Sequence, residues 1–232
     1  ARDFLKYGVE VAGSKPEFVV HPPVGKWCIA FGIKIFGDNE FGWRITAAIA
    51  GTLIILIAAR LAHELFYSPF LTAITAALLA FDGLLLVHSR TALLDLFLTL
   101  FILIAAYFWF RQQYWYASIF FGLALATKWS ALYFIFLFAL VTLYKMYREN
   151  PDRQSLRTLG MRVLQFAILP FGIYLTSWVG WFASNRGWDR TYASNPFSSL
   201  IYYHKQMLEF HTSLVQNHAY QANPWSWLIM GR

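Results

Sequence analysis

Charged residues divide the middle of the chain into six apolar runs, residues 45–59, 65–81, 96–110, 112–127, 129–144 and 163–185. Each reads as a membrane-spanning helix, which makes the predicted fold an all-α, polytopic transmembrane bundle. Several runs fall short of the ~20 residues needed to cross about 30 Å of hydrocarbon. Arg44, Arg60, Arg111, Lys128 and Lys145 are therefore expected near helix ends, with their charged heads reaching for the interface. The runs on either side of Gln112 and Lys128 fit a re-entrant or buried helix equally well.

The flanks differ in character. Pro22-Pro23 suits the start of a helix and not its interior, and residues 24–36 then mix apolar positions with Lys26 and Lys34 before Gly37. This predicts an amphipathic helix lying in the interface. Residues 1–40 are read as an external segment, 41–185 as the membrane helices, and 186–232 as a second external segment. That last segment is aromatic throughout and closes in Pro224-Trp225-Ser226-Trp227, which reads as a turn anchored at the membrane surface. No internal repeat or low-complexity stretch interrupts the chain, and a single membrane domain over 1–232 is expected. The chain opens on Ala1-Arg2-Asp3 and stops at Gly231-Arg232, so it is expected to be cut from a longer protein at both ends.

Composition agrees with this picture. Of the 232 residues 58% are hydrophobic and 13% charged, against roughly a quarter charged in an ordinary soluble domain, and the mean hydropathy is +0.46. Aromatic residues make up 19%, and rings with a polar handle settle at membrane interfaces. The net charge of +7 does not point to nucleic acid, because many of the basic residues sit between apolar runs and not on one solvated face. It sets topology instead. Lys145, Arg148, Arg153, Arg157 and Arg162 face only Glu149 and Asp152 in one short segment broken by Asn150-Pro151, which places that loop in the cytoplasm. In the amino-terminal segment Asp3, Glu10, Glu17, Asp38 and Glu40 nearly balance the bases. A lone Cys28 excludes an intrachain disulfide and a thiolate cluster.

Counting outward from the basic loop, Asp82, His88, Arg90, Asp95 and Lys128 all fall at the external side. Ionisable groups at such depths usually face a bundle interior or a watery cavity, so the set predicts a polar site open to the outside. The plainer reading makes Asp82, Arg90 and Asp95 structural ion pairs across a tight hairpin. Arg90 and Lys128 offer cations to an anionic ligand, and at a membrane surface that points to a lipid-linked phosphate. His204, His211 and His218 recur every seven residues on one helical face. Successive rings are ~10.5 Å apart along the axis, too far to share one zinc ion. A helix resting on Leu200, Met207 and Leu214 explains them better. No Gly-rich phosphate loop, nucleophile elbow or His-Glu-x-x-His is present.

An ordered series of motifs resembles the protein O-mannosyltransferase family. It runs His21-Pro22-Pro23-Val24-Gly25-Lys26, Gly42-Trp43-Arg44, Phe81-Asp82-Gly83, His88-Ser89-Arg90 and Leu94-Asp95. It continues through Ala126-Thr127-Lys128-Trp129-Ser130, Ser177-Trp178, Tyr203-His204, Phe210-His211, His218-Ala219-Tyr220 and Asn223-Pro224-Trp225. The series covers nearly the whole chain and is most similar to bacterial, actinobacterial-type members.

The resemblance implies a GT-C type glycosyltransferase. Such an enzyme transfers mannose, with inversion, from polyprenyl-phosphate-mannose to Ser or Thr hydroxyls of exported proteins. It would sit in a bacterial plasma membrane with the active site facing out. The resemblance makes Arg90 a catalytic residue that stabilises the leaving phosphate and gives Asp95 a second catalytic position. His21, Lys26, Lys128 and His218 become donor-phosphate or substrate contacts. The family's acceptor-activating Asp-Glu pair is expected upstream of Ala1, so the chain alone is expected to be inactive. A divalent metal is not required of every member, and no convincing ligand set offers one a site. Two other readings are a related transferase moving another lipid-linked sugar, such as an aminosugar, and a transporter. A transporter would carry its ionisable residues near mid-bilayer, whereas these collect at span ends.

Overall fold

The structure is a computed structural model that describes residues 1–13, 15–149, 156–215 and 225. It forms two compact units, residues 1–190 and residues 191–232.

The first unit opens with a short helix α1 (Arg2–Tyr7) and a two-residue antiparallel hairpin, β1 (Val11–Ala12) with β2 (Lys15–Pro16), which pairs Val11 with Pro16 and Ala12 with Lys15. Then come α2 (Val24–Phe36), α3 (Glu40–Phe66), α4 (Pro69–Ala80), α5 (Gly83–Thr91), α6 (Leu94–Phe110), α7 (Tyr114–Leu125) and α8 (Ala131–Glu149). A nearly continuous helix closes the unit: α9 (Leu156–Val163), a π-helical turn (Leu164–Ile168) and α10 (Leu169–Ser177), followed by α11 (Val179–Ala183). The second unit contains α12 (Pro196–Ser213).

Short polar side chains start these helices by accepting the otherwise unpaired N–H groups of the first turn. Asn39 accepts from Gly42 N, Ser68 from Leu71 N, Asp82 from Leu85 N and Asn195 from Ser198 N. The helix expected over 24–36 has those bounds, and Gly37 ends it at φ 86, a conformation that costs glycine little.

All the expected apolar runs are helical, in the expected order. Three helices are long and apolar enough to cross a membrane by themselves: Glu40–Phe66, Ala131–Arg148 and Leu156–Ser177. The pair α4 and α5 would make a fourth crossing as one span broken by a 57° bend. Helices α6 and α7 are shorter. The 12 residues of α7 rise only ~18 Å, and Ala117, Ser118, Phe121, Gly122, Ala124 and Leu125 are buried. Trp115, Tyr116 and Ile119 on its other side are exposed, so the bundle covers one face of α7.

Several boundaries move. The break between the first two apolar runs is helical: α3 runs through Arg60, His63 and Glu64 to Phe66, so Leu65 belongs to it and not to the next run. The charges are tolerated because Glu64 pairs with Arg111 at 3.7 Å. The stop comes at Tyr67, which is left-handed at φ 50, and Ser68-Pro69 restarts the chain as cap and first residue of α4. Helix takes in part of the basic segment, since α8 continues to Glu149 and α9 starts at Leu156.

The core forms where α3 meets α6. Ala47, Ala50 and Ile54 present small and branched surfaces to Leu96, Phe97 and Leu100, all 7% exposed or less. Deeper in the bundle Trp109 Nε1 donates to Thr142 Oγ1 at 2.7 Å, and Ser118 Oγ donates to the Gln165 carbonyl within the π-helical turn. By contrast α8 is largely exposed, with Leu132, Tyr133, Phe136, Leu137 and Leu140 uncovered, as a lipid-facing helix requires.

Candidate active site

The candidate site gathers where the beginning of α2 meets the beginning of α6 and the turn after α7. Val24 N donates to the Ala126 carbonyl at 3.0 Å. Gly25 makes the approach close, because a Cβ there would lie 2.8 Å from Leu94 Cδ2 and 2.9 Å from Thr127 Cγ2. Three segments distant in sequence, 21–26, 94–95 and 126–128, thereby meet at one end of the bundle.

Two ion pairs mark that end. Lys128 Nζ lies 2.7 Å from Asp95 Oδ1, with both side chains partly exposed. Asp95 occupies the first turn of α6, where the helix end favours a carboxylate. Lys26 Nζ lies 2.6 Å from Glu10 Oε1 and donates to the His21 carbonyl at 3.3 Å. The Glu10–Lys26 pair is the more enclosed, at 12% and 14% side-chain exposure. Burial pushes the Glu10 carboxyl above the usual carboxylate range, and the Lys26 ammonium acts against that rise.

Arg90 is different. It lies in the last turn of α5, exposed, and no ion pair or hydrogen bond engages its guanidinium among the described residues. Asp82 caps the opposite end of the same helix through its 2.6 Å bond from Leu85 N, so it does not neutralise Arg90. No ion pair joins Asp82, Arg90 and Asp95 among the described residues. Helix α5 is seated on α3 through Ser89, whose Oγ and Cβ occupy the space that a Cβ at Gly51 would need.

The chain matches, over residues 20–174, the family described as dolichyl-phosphate-mannose-protein mannosyltransferase. It belongs to that family. Curated relatives agree. A polyprenol-phosphate-mannose–protein mannosyltransferase of Mycolicibacterium smegmatis is 33% identical over 263 aligned residues, covering 90% of this chain and 51% of the relative. The protein of the same name from Corynebacterium glutamicum is 34% identical over 270 residues, covering 92% and 52%. The chain thus spans about half the length of these curated relatives. A shorter similarity, 40% over 74 residues, links 32% of the chain to 14% of the undecaprenyl phosphate-α-4-amino-4-deoxy-L-arabinose arabinosyl transferase of Pseudomonas aeruginosa. No solved structure matches the chain.

Within this mannosyltransferase family member, the fold brings His21, Lys26, Asp95 and Lys128 to one end of the bundle. It pairs Asp95 with Lys128, two residues to which the resemblance gives separate roles. His218 lies outside the described residues, as do Pro224, Ser226 and Trp227 of the carboxy-terminal turn. In the second unit His204 and His211 both lie on α12. Leu200 and Met207 are buried, while Leu214 falls beyond the helix and is exposed. His204 Nδ1 donates to the Leu200 carbonyl at 2.7 Å, and burial holds its imidazole below the usual histidine range. Among the described residues no group of three His, Cys, Asp or Glu side chains is placed to hold a metal ion.

Sequence reasoning missed Glu10, which entered only as one of five acids offsetting nearby bases. Its signal was faint: a charge between Val9 and Val11, just before the Gly13 turn.

Proposed function

We propose that this chain forms the donor side of a membrane mannosyltransferase that moves mannose from a polyprenyl-phosphate carrier to Ser or Thr hydroxyls of exported proteins. Family membership supports the reaction class. The observation that carries the site is the meeting of residues 21–26, 94–95 and 126–128 beside two lysines, because a lipid phosphate needs cations at the membrane surface. The active end faces the outside of the plasma membrane in this reading, opposite the basic loop that topology places in the cytoplasm.

Breaking the bond between sugar and phosphate builds negative charge on the departing phosphate oxygen. Donors preset toward that oxygen lower the barrier most when they need no rearrangement. Arg90, whose guanidinium meets no carboxylate among the described residues, takes this role and can present two parallel N–H groups to a phosphate. Lys26 and Lys128 hold the ground-state phosphate, with Asp95 aiming Lys128. The acceptor hydroxyl needs a base, a role this reading gives to none of the residues described above.

The test is mannose transfer from polyprenyl-phosphate-mannose to a Ser/Thr peptide by the full-length protein in membranes. Arg90→Ala is expected to cut kcat/KM by about 100-fold or more with the amount of folded protein unchanged. An unaltered rate would remove Arg90 from the chemistry. A second reading is favoured by the aminoarabinosyl transferase similarity: the same end of the bundle would take another polyprenyl-phosphate sugar. Transfer from an aminosugar donor in preference to the mannose donor would establish it.

A further inference from the structure

Glu10 is held from both sides by backbone. Val9 and Val11 beside it are 6% and 7% exposed, and the Glu17 N–H donates to the Glu10 carbonyl at 3.2 Å, closing the hairpin. Its carboxylate therefore meets Lys26 from a fixed base. Lys26 comes from the other partner, the first turn of α2, where the helix end is itself positive and disfavours a cation. The Glu10 carboxylate at 2.6 Å offsets that unfavourable effect. Lys26 carries three N–H donors. One is directed to Glu10 and one to the His21 carbonyl, which leaves a third with no partner among the described residues.

We propose that Glu10 is a positioning residue: it anchors the Lys26 ammonium at the entrance of α2 so that one N–H remains for the phosphate of the lipid-linked sugar. The proposal rests on the donor-site reading of Lys26 and extends it to a residue outside the matched family segment, 20–174. The physical reason to look beyond stability is the cost of such a pair. An enclosed ion pair can often be replaced by apolar side chains without loss of stability, whereas removing one partner leaves an uncompensated charge. What the pair supplies that an apolar pair cannot is a cation in a defined place.

That difference sets the experiment, run on the full-length protein in membranes with donor concentration as the variable. The double variant Glu10→Met/Lys26→Met removes the cation but leaves no stranded charge. It is expected to melt at or above the parent temperature and to raise the donor KM by about tenfold or more. Glu10→Gln, which keeps Lys26 but frees it, is expected to raise the donor KM by about tenfold while kcat stays within about threefold. Glu10→Asp keeps the charge and is expected to restore the donor KM to within about threefold of the parent.

If the double variant is folded and its donor KM is unchanged, Lys26 does not bind the donor, and the donor-site reading falls together with the role of Glu10. If the double variant shows the rise but Glu10→Gln does not, or Glu10→Asp fails to rescue, Lys26 binds donor without help from Glu10. In that case only the positioning role is overturned.

Discussion

Lys26 and Lys128 each stand beside a carboxylate, at 2.6 and 2.7 Å, while exposed Arg90 stands alone among the described residues. In the proposed donor site this division is chemically useful, since paired lysines hold a charge in place and a guanidinium without a carboxylate beside it can respond to charge that develops during reaction. Away from that end, His204 offers a titration that can be read directly. Burial lowers its pKa, and this outweighs the opposing effect of its bond to the Leu200 carbonyl. The folded state then binds the proton less readily than the unfolded chain. Its contribution to stability is whole above about pH 6.5 and is lost as pH falls through that value toward the lower folded pKa. Thermal melting of the parent is expected to drop more between about pH 7.5 and 5 than melting of His204→Gln. Parallel curves would show that another group controls the acid limb. Arg90 could be proposed from the sequence because its motif is contiguous. The Glu10–Lys26 pair could not, because it depends on a hairpin and a helix start that meet only in three dimensions.

Among the elements, α5 has the most exacting placement. It is nine residues long, too short to hold its direction by its own hydrogen bonds, and it follows α4 across a 57° bend. Asp82 fixes its start, and Ser89, which donates to the Leu85 carbonyl at 2.7 Å, fits over Gly51 of α3. Arg90 is the next residue, so the α3 glycine sets where the guanidinium sits. Gly51→Ala is expected to cost ~1–3 kcal/mol through overpacking and to lower the proposed mannose transfer of the full-length protein by roughly ten- to a hundredfold through displacement of Arg90. Gly172→Ala, where a new Cβ would meet open space, serves as the control and is expected to be near neutral in both assays. Equal effects of the two substitutions would show that α5 does not depend on this contact. Helix α2 was readable from its Pro-Pro start and its glycine stop. The end of α3 was not, because the charges of Arg60, His63 and Glu64 resemble a loop until the Glu64–Arg111 pair shows how a helix accommodates them.

At the scale of the first unit, both ends of the bundle combine ion pairs with cation–aromatic contacts, among them Glu64–Arg111 at one end and Arg44 over Trp43 at the other. One end holds the Glu10–Lys26 and Asp95–Lys128 pairs. At the other, cations rest on aromatic faces: Arg111 lies 5.6 Å from the Tyr107 ring, Lys145 4.4 Å from Trp109 and Arg162 4.1 Å from Tyr114. Each such contact is favourable, and a belt of aromatics with basic residues is the arrangement that anchors helices at a membrane interface. In the proposed topology this second end, with the basic segment around Lys145 and Arg162, is cytoplasmic and the paired-charge end faces outward. Single cysteines can decide the matter once Cys28 and every other native cysteine of the full-length protein are replaced by serine. Asp38 and Arg157 are both exposed; Asp38 precedes α3 and Arg157 lies in α9, on opposite sides in this topology. In intact cells a membrane-impermeant maleimide is expected to label the Asp38→Cys variant of the full-length protein at once. The Arg157→Cys variant is expected to react only after the membrane is permeabilised. The reverse pattern would put the two lysine pairs in the cytoplasm, and a donor presented on the outer leaflet could not then reach them.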